Sequence, residues 1–101
     1  MKKFRIVWDE RAVSELKEIF EYVFCASPSS AVKVRDEIMN TVKRLSTMPR
    51  MFQVYEFANA AYGEYRSAIR WSYRIIYEII NGDVHIVRII HTSRNPGKII
   101  L

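Results

Sequence analysis

Cysteine is almost missing from this chain: Cys25 stands alone among 101 residues. No intrachain disulfide can form, which fits a reducing compartment and excludes the disulfide-stapled class of small secreted domains. Cys25 reads as a helix-packing residue rather than a nucleophile. Glycine and proline number three each, and neither a glycine-rich phosphate loop nor a serine-centred nucleophile elbow is present. The two histidines, His85 and His91, come without further cysteines or paired carboxylates, so the residues supply no metal site and no cofactor is expected. No apolar run approaches the roughly 20 residues that span a bilayer. Met1-Lys2-Lys3-Phe4 leads straight into a strand rather than an apolar leader segment, so a cytoplasmic protein with no membrane partner is expected. Internal repeats, low-complexity stretches and linkers are also lacking.

What is present is apolar and basic. Half of the residues are hydrophobic, enough for one core, so residues 1–101 are expected to form a single domain. The formal charge is +5 and the isoelectric point is near 9.6, which favours an acidic partner without choosing among nucleic acid, ribosome and protein. Residues 49–101 hold seven basic against four acidic side chains, so the excess leans towards the second half.

Phe4–Trp8 alternates as a short strand, and Asp9 suits the N-cap of a helix running to about Ala26. Val13, Leu16, Phe20 and Val23, with Ile19 and Phe24 beside them, recur at helical spacing, and Trp8 can staple onto Val13. Ser27-Pro28 restarts the chain as N-cap and N1 of a second helix. Its apolar stripe is Ala31, Val34, Ile38, Val42 and Leu45, and Pro49 predicts an end at Met48. Residues 49–62 show no period and read as a loop.

From Tyr62 to Arg94 the chain is one meander rich in β-branched and aromatic residues. Asn81-Gly82 between two apolar runs is a type I′ hairpin signal. A two-residue turn there predicts Ile79 opposite Val84, Glu78 opposite His85, Tyr77 opposite Ile86, Ile75 opposite Arg88 and Arg74 opposite Ile89. One face then holds Tyr73, Ile75, Tyr77, Ile79, Ile86, Arg88 and Ile90, and the other Arg74, Ile76, Glu78, Ile80, His85, Val87, Ile89 and His91. If Trp71-Ser72 is also a tight turn, Arg66 and Arg70 join Tyr73, Tyr77 and Arg88 on a basic, aromatic face able to stack bases and neutralise phosphates; a longer turn reverses that assignment. The fold class expected is α+β: β-α-α-β-β-β, a strand, a two-helix hairpin and a three-strand antiparallel meander with both helices on one side. Arginines threaded through so apolar a sheet imply a binding role, against the plainer reading that Arg74 and Arg88 pair with Glu78 or Glu64. His91 can be a general base or a hydrogen-bonded structural residue.

Certain segments carry a resemblance. Val7-Trp8-Asp9-Glu10-Arg11-Ala12-Val13-Ser14-Glu15-Leu16, the helix end Leu45-Ser46-Thr47-Met48-Pro49, the strand Tyr73-Arg74-Ile75-Ile76-Tyr77-Glu78-Ile79 and Val87-Arg88-Ile89-Ile90-His91-Thr92-Ser93-Arg94-Asn95 together resemble the RelE/ParE superfamily of toxins from type II toxin–antitoxin operons. RelE-like members are ribosome-dependent endoribonucleases that cut mRNA, whereas ParE-like members poison DNA gyrase and have no comparable catalytic set. Under the RelE-like alternative, Arg70 matches the sheet arginine placed on the scissile phosphate, and His91 and Arg94 lie where the C-terminal catalytic segment begins. No tyrosine or histidine follows Arg94 to serve as a late acid or base, and the long helical pair with a short tail is similar to ParE.

The resemblance therefore implies a growth-arresting toxin, with DNA gyrase favoured as target and the ribosome with mRNA as the alternative. A diverged, non-toxic binding module is the third possibility. The ParE-like reading implies no enzyme; the RelE-like one implies catalysis by Arg70, His91 and Arg94. Target binding is expected from Arg66, Arg70, Arg74, Arg88, Tyr73 and Tyr77. A cognate antitoxin is the implied partner under every reading, covering apolar strands and the Ile99-Ile100-Leu101 tail, with a homodimer or a toxin–antitoxin hetero-oligomer as the assembly.

Overall fold

Every apolar stripe in this chain needs a neighbour, and the neighbour is a single five-stranded sheet. A computed structural model describes residues 3–58 and 63–101. Met1, Lys2 and Asn59–Tyr62, which include the end of the expected loop and the first residue of the expected meander, lie outside the described residues. The order is β1 (Arg5–Trp8), α1 (Glu10–Ala26), α2 (Pro28–Arg44), β2 (Gln53–Val54), β3 (Glu64–Arg70), β4 (Tyr73–Ile80), β5 (Asp83–His91) and a 3₁₀ turn, Pro96–Lys98. Across the sheet the strands lie β1-β5-β4-β3-β2. The meander β3–β4–β5 is antiparallel, but β1 runs parallel to β5, so the whole sheet is mixed. The expected loop also contains β2, which pairs with Arg66 and Ser67.

Local chemistry sets the helix boundaries. The Asp9 carboxylate accepts the Arg11 N–H at 2.8 Å, and the Ser27 hydroxyl accepts the Ser30 N–H at 3.3 Å with Pro28 opening α2. α2 stops at Arg44 rather than Met48. The Ser46 and Thr47 hydroxyls donate to the Lys43 and Arg44 carbonyls, and the N–H groups of Leu45 and Ser46 turn to carbonyls three residues back. Side chains that bond the nearby backbone compete with the helix ladder and end it before the proline does.

The α2 stripe is buried as its spacing predicts, from Ala31 to Leu45. α1 is rotated from expectation. Ala12 is its buried residue, with Leu16 and Ile19 packed on the core, while Val13 is 52% and Phe24 47% exposed. Trp8 packs on the core without Val13 as its buried staple partner. The small Ala12 side chain lets α1 approach β5 closely, and that approach decides which stripe faces inward.

The two hairpins differ in how well they hold register. Asn81 and Gly82 have φ of 52° and 79°, and pairing runs as predicted from Ile79–Val84 to Tyr77–Ile86. Val87 is then an extra residue, and the ladder resumes as Ile76–Arg88, Ile75–Ile89 and Arg74–Ile90. The predicted pairs Ile75–Arg88 and Arg74–Ile89 do not form, because a bulge moves every later residue of the strand by one. Ile89 thereby enters the helix-side core with Tyr73, Ile75, Tyr77 and Ile86. Ile90 moves to the opposite face, where it packs with Tyr55, Ile76, Tyr65, Ile99 and Leu101. The sheet is thus covered on both faces, by helices on one and by the tail on the other.

Candidate functional site: the arginine end of the sheet

Trp71-Ser72 is a two-residue turn, so Arg70 stands opposite Tyr73 and Arg66 opposite Tyr77. Tyr73 in turn stands opposite His91. One row across the sheet therefore reads Arg70–Tyr73–His91, with Arg70 and His91 about 10 Å apart by two interstrand spacings. Arg94 joins this end through its backbone N–H, which donates to the His91 carbonyl at 3.1 Å. Between α1 and the end of β5 lies a cleft of about 420 Å³ lined by Glu15, Glu18, Tyr22, Tyr73, His91 and Arg94.

The residues of this row differ in how free they are. The Arg70 guanidinium donates to the Ile69 carbonyl at 2.8 Å and lies 5.0 Å from the Phe52 ring centroid, held over an aromatic face. Tyr73 is buried, and its phenol is pushed above its ordinary pKa by that burial and then by the neighbouring Tyr22. His91 is exposed and meets Tyr73 edge-on at 5.6 Å. Its Nδ1 accepts the Ser93 N–H at 3.0 Å and lies 2.7 Å from the Ser93 hydroxyl. A backbone N–H can only donate, so in neutral His91 the proton sits on Nε2.

The other expected arginines and tyrosines are engaged elsewhere. Tyr77 is fully buried, and its hydroxyl donates to the Pro49 carbonyl at 2.7 Å. Burial raises its phenol to about 12. Arg66 binds the Glu64 carboxylate and donates to the Phe52 carbonyl at 2.7 Å. Burial raises the Glu64 carboxyl, but Arg66 and Arg50 together outweigh it and hold the group below the ordinary carboxylate range. Arg88 pairs with Glu15 at 2.8 Å and donates to the Ile100 carbonyl at 2.6 Å. The Glu15 hydrogen bond, above all, raises its pKa. Glu15 also accepts the Ile89 N–H at 3.1 Å, closing the β5 edge beyond the last β1 pairing. Arg88 thus takes Glu15 as its acid rather than Glu64 or Glu78. Arg74 takes neither among the described residues, and its guanidinium lies 5.9 Å from the Tyr55 ring centroid.

Trp71, at the same end of the sheet, is an exposed aromatic that sequence reasoning passed over. It is 52% exposed with φ of 55°, a left-handed conformation that bulky residues rarely adopt. The signal was there: a tryptophan in a two-residue turn is at odds with the residues such turns favour. Among the described residues no group of three metal-ligating side chains is placed to hold an ion, and no helix is long and apolar enough to cross a membrane.

Comparison with known proteins identifies the family. The model of the ParE toxin of the type II toxin–antitoxin system, parDE, matches residues 6–96. The chain belongs to this family. A solved structure titled as the chromosomal ParDE toxin–antitoxin system from P. aeruginosa superposes with a TM-score of 0.70, at 20% identity, covering 90% of this chain and 98% of that one. No curated protein matches the sequence. The chain is a toxin of the type II class with an α+β ParE fold, and its toxin–antitoxin family implies a cognate antitoxin as partner.

Proposed function

We propose that this toxin arrests growth by poisoning DNA gyrase in the cytoplasm and does not itself cut RNA. The family match supports the target, and the His91 geometry carries the non-catalytic part. Cleavage of RNA at a 2′-hydroxyl needs a base with a free lone pair. The Nδ1 lone pair of His91 is taken by Ser93 and Nε2 carries the proton. The exposed members of this end, Trp71, Arg94 and His91, with Arg70 behind them, form a cationic and aromatic surface suited to grip a partner macromolecule. The cognate antitoxin neutralises the toxin by forming a hetero-oligomer with it.

Purified chain added to a gyrase supercoiling assay and to a programmed-ribosome cleavage assay tests this reading. Gyrase is expected to be inhibited and the mRNA to stay intact. Cleavage in the ribosome assay with gyrase unaffected overturns the proposal. In cells, expression alone is expected to stop growth, and co-expression with the antitoxin gene to restore it.

A further inference from the structure

The face of the sheet turned away from the helices carries a second cleft, of about 570 Å³, whose walls include Val54, Phe57, Ser67, Ile69 and Arg74. Val54, Phe57 and Ile69 are 58%, 54% and 50% exposed, an apolar rim of half-open side chains. Among the described residues β2 pairs only with Arg66 and Ser67, and from Ala68 onward β3 has no strand on that side. An unpaired strand edge beside apolar walls is a template for an extended segment.

The polar part of this cleft is short of acceptors. Arg74 makes no hydrogen bond or ion pair among the described residues, and its Nε is buried without a partner. Beneath it Tyr55 is 4% exposed, and its hydroxyl is buried and unpartnered as well. A guanidinium has donors only, and a buried N–H left without an acceptor is costly. Glu56 stands at the rim but is exposed and makes no ion pair with Arg74. The group that Arg74 calls for is a carboxylate, which accepts two parallel N–H bonds.

We propose that this cleft docks an extended segment of a partner protein that carries one carboxylate side chain between apolar residues. The carboxylate sits on Arg74 and the apolar neighbours on Val54, Phe57 and Ile69. A nucleic acid strand fits less well: it brings a phosphate at every step, and Arg74 is the cation among the residues that line the cleft. The inference rests on the reading of Arg74 as part of a working surface and is independent of which target the toxin poisons.

Amide NMR of the purified chain, titrated with the capped peptide acetyl-Leu-Glu-Leu-amide and with its Gln counterpart, tests it without gyrase or ribosome. The Glu peptide is expected to shift the amides of Val54–Phe57, Ile69 and Arg74. The Gln peptide, or the Arg74→Gln chain, is expected to bind about tenfold more weakly, the scale of one charge-assisted pair. Equal affinity for the two peptides, shifts confined to other residues, or no shifts at millimolar peptide would overturn the proposal. Should Arg74→Gln fail to fold, Ile69→Asp at the half-exposed rim sets a like charge beside the carboxylate and is expected to abolish binding. A single-stranded oligonucleotide that displaces the peptide and shifts the same amides more strongly would overturn the partner class.

Discussion

Trp71 holds a φ of 55° at an exposed hairpin tip, where glycine would be at ease. Strain of this kind costs on the order of 1–3 kcal/mol and has to be held in place by the surrounding structure. Trp71→Gly is therefore expected to raise stability by about 1 kcal/mol in urea denaturation while weakening growth arrest. Equal toxicity from the more stable variant would remove Trp71 from the target-facing surface. Tyr77 makes the opposite contribution. Its phenol, ordinarily near 10, is raised to about 12 in the fold, so its stabilising effect is complete below pH 10 and is lost as pH rises towards 12. Tyr77→Phe, which leaves the Pro49 carbonyl without its donor, is expected to cost about 1 kcal/mol at neutral pH. The same variant flattens the loss of stability between pH 10 and 12 when Tm is followed against pH. Glu64 works at the acid end. Its pKa is depressed, so its contribution is present above the unfolded carboxylate value and fades as pH falls through the folded one; Glu64→Gln is expected to shallow that acid limb.

At the scale of elements, one carboxylate ties a helix to a strand that has run out of neighbours. β1 pairs with Asp83–Ile86 and no further. Glu15 then receives the Ile89 N–H and the Arg88 guanidinium, so α1 continues the work of the missing strand. Both side chains are mostly buried, at 14% and 17% exposed. Removing one partner leaves a charge and a backbone donor unmatched, and Glu15→Ala is expected to lower stability by about 2–3 kcal/mol in denaturant unfolding. Glu15→Gln, which keeps an acceptor for the Ile89 N–H, is expected to lose less than the alanine variant. Equal losses would show that the edge bond contributes nothing beyond the ion pair. The Val87 bulge matters at the same scale, because it alone sends Ile89 inward and Ile90 to the opposite face.

At the scale of the molecule, the sheet is buried twice. Helices cover one face, and on the other Ile99 and Leu101 pack with Tyr55, Tyr65, Ile76 and Ile90. Arg11 and Arg88 both donate to the Ile100 carbonyl, which fastens the tail across the sheet. A chain shortened to end at Lys98 is expected to keep its helical and sheet signal in circular dichroism. It should bind a hydrophobic dye and lose about 2 kcal/mol of stability, the scale of a few half-buried aliphatic side chains. A shortened chain that neither binds dye nor loses stability would show the tail to be a passive cover.

The periodicity of α2, the caps Asp9 and Ser27-Pro28, and the Asn81-Gly82 turn were all legible in the sequence, because each depends on residues within a few positions of one another. The sequence left the length of the Trp71-Ser72 turn open, and the structure settles it as two residues, with Arg66 and Arg70 opposite Tyr77 and Tyr73. The family resemblance rested on such local runs, and the match over residues 6–96 agrees with it. Other features needed the assembled chain. Which stripe of α1 turns inward depends on Ala12 meeting β5, and the bulge at Val87 shifts a register that the turn residues alone predict without it. The fate of each arginine also belongs to tertiary structure. Arg66, Arg70, Arg74 and Arg88 look alike along the strands, yet Glu64, Phe52 and Glu15 engage the first, second and last, while Arg74 makes no hydrogen bond or ion pair among the described residues. Charge is a property of the residue, but whether that charge is satisfied depends on contacts brought together from distant parts of the chain.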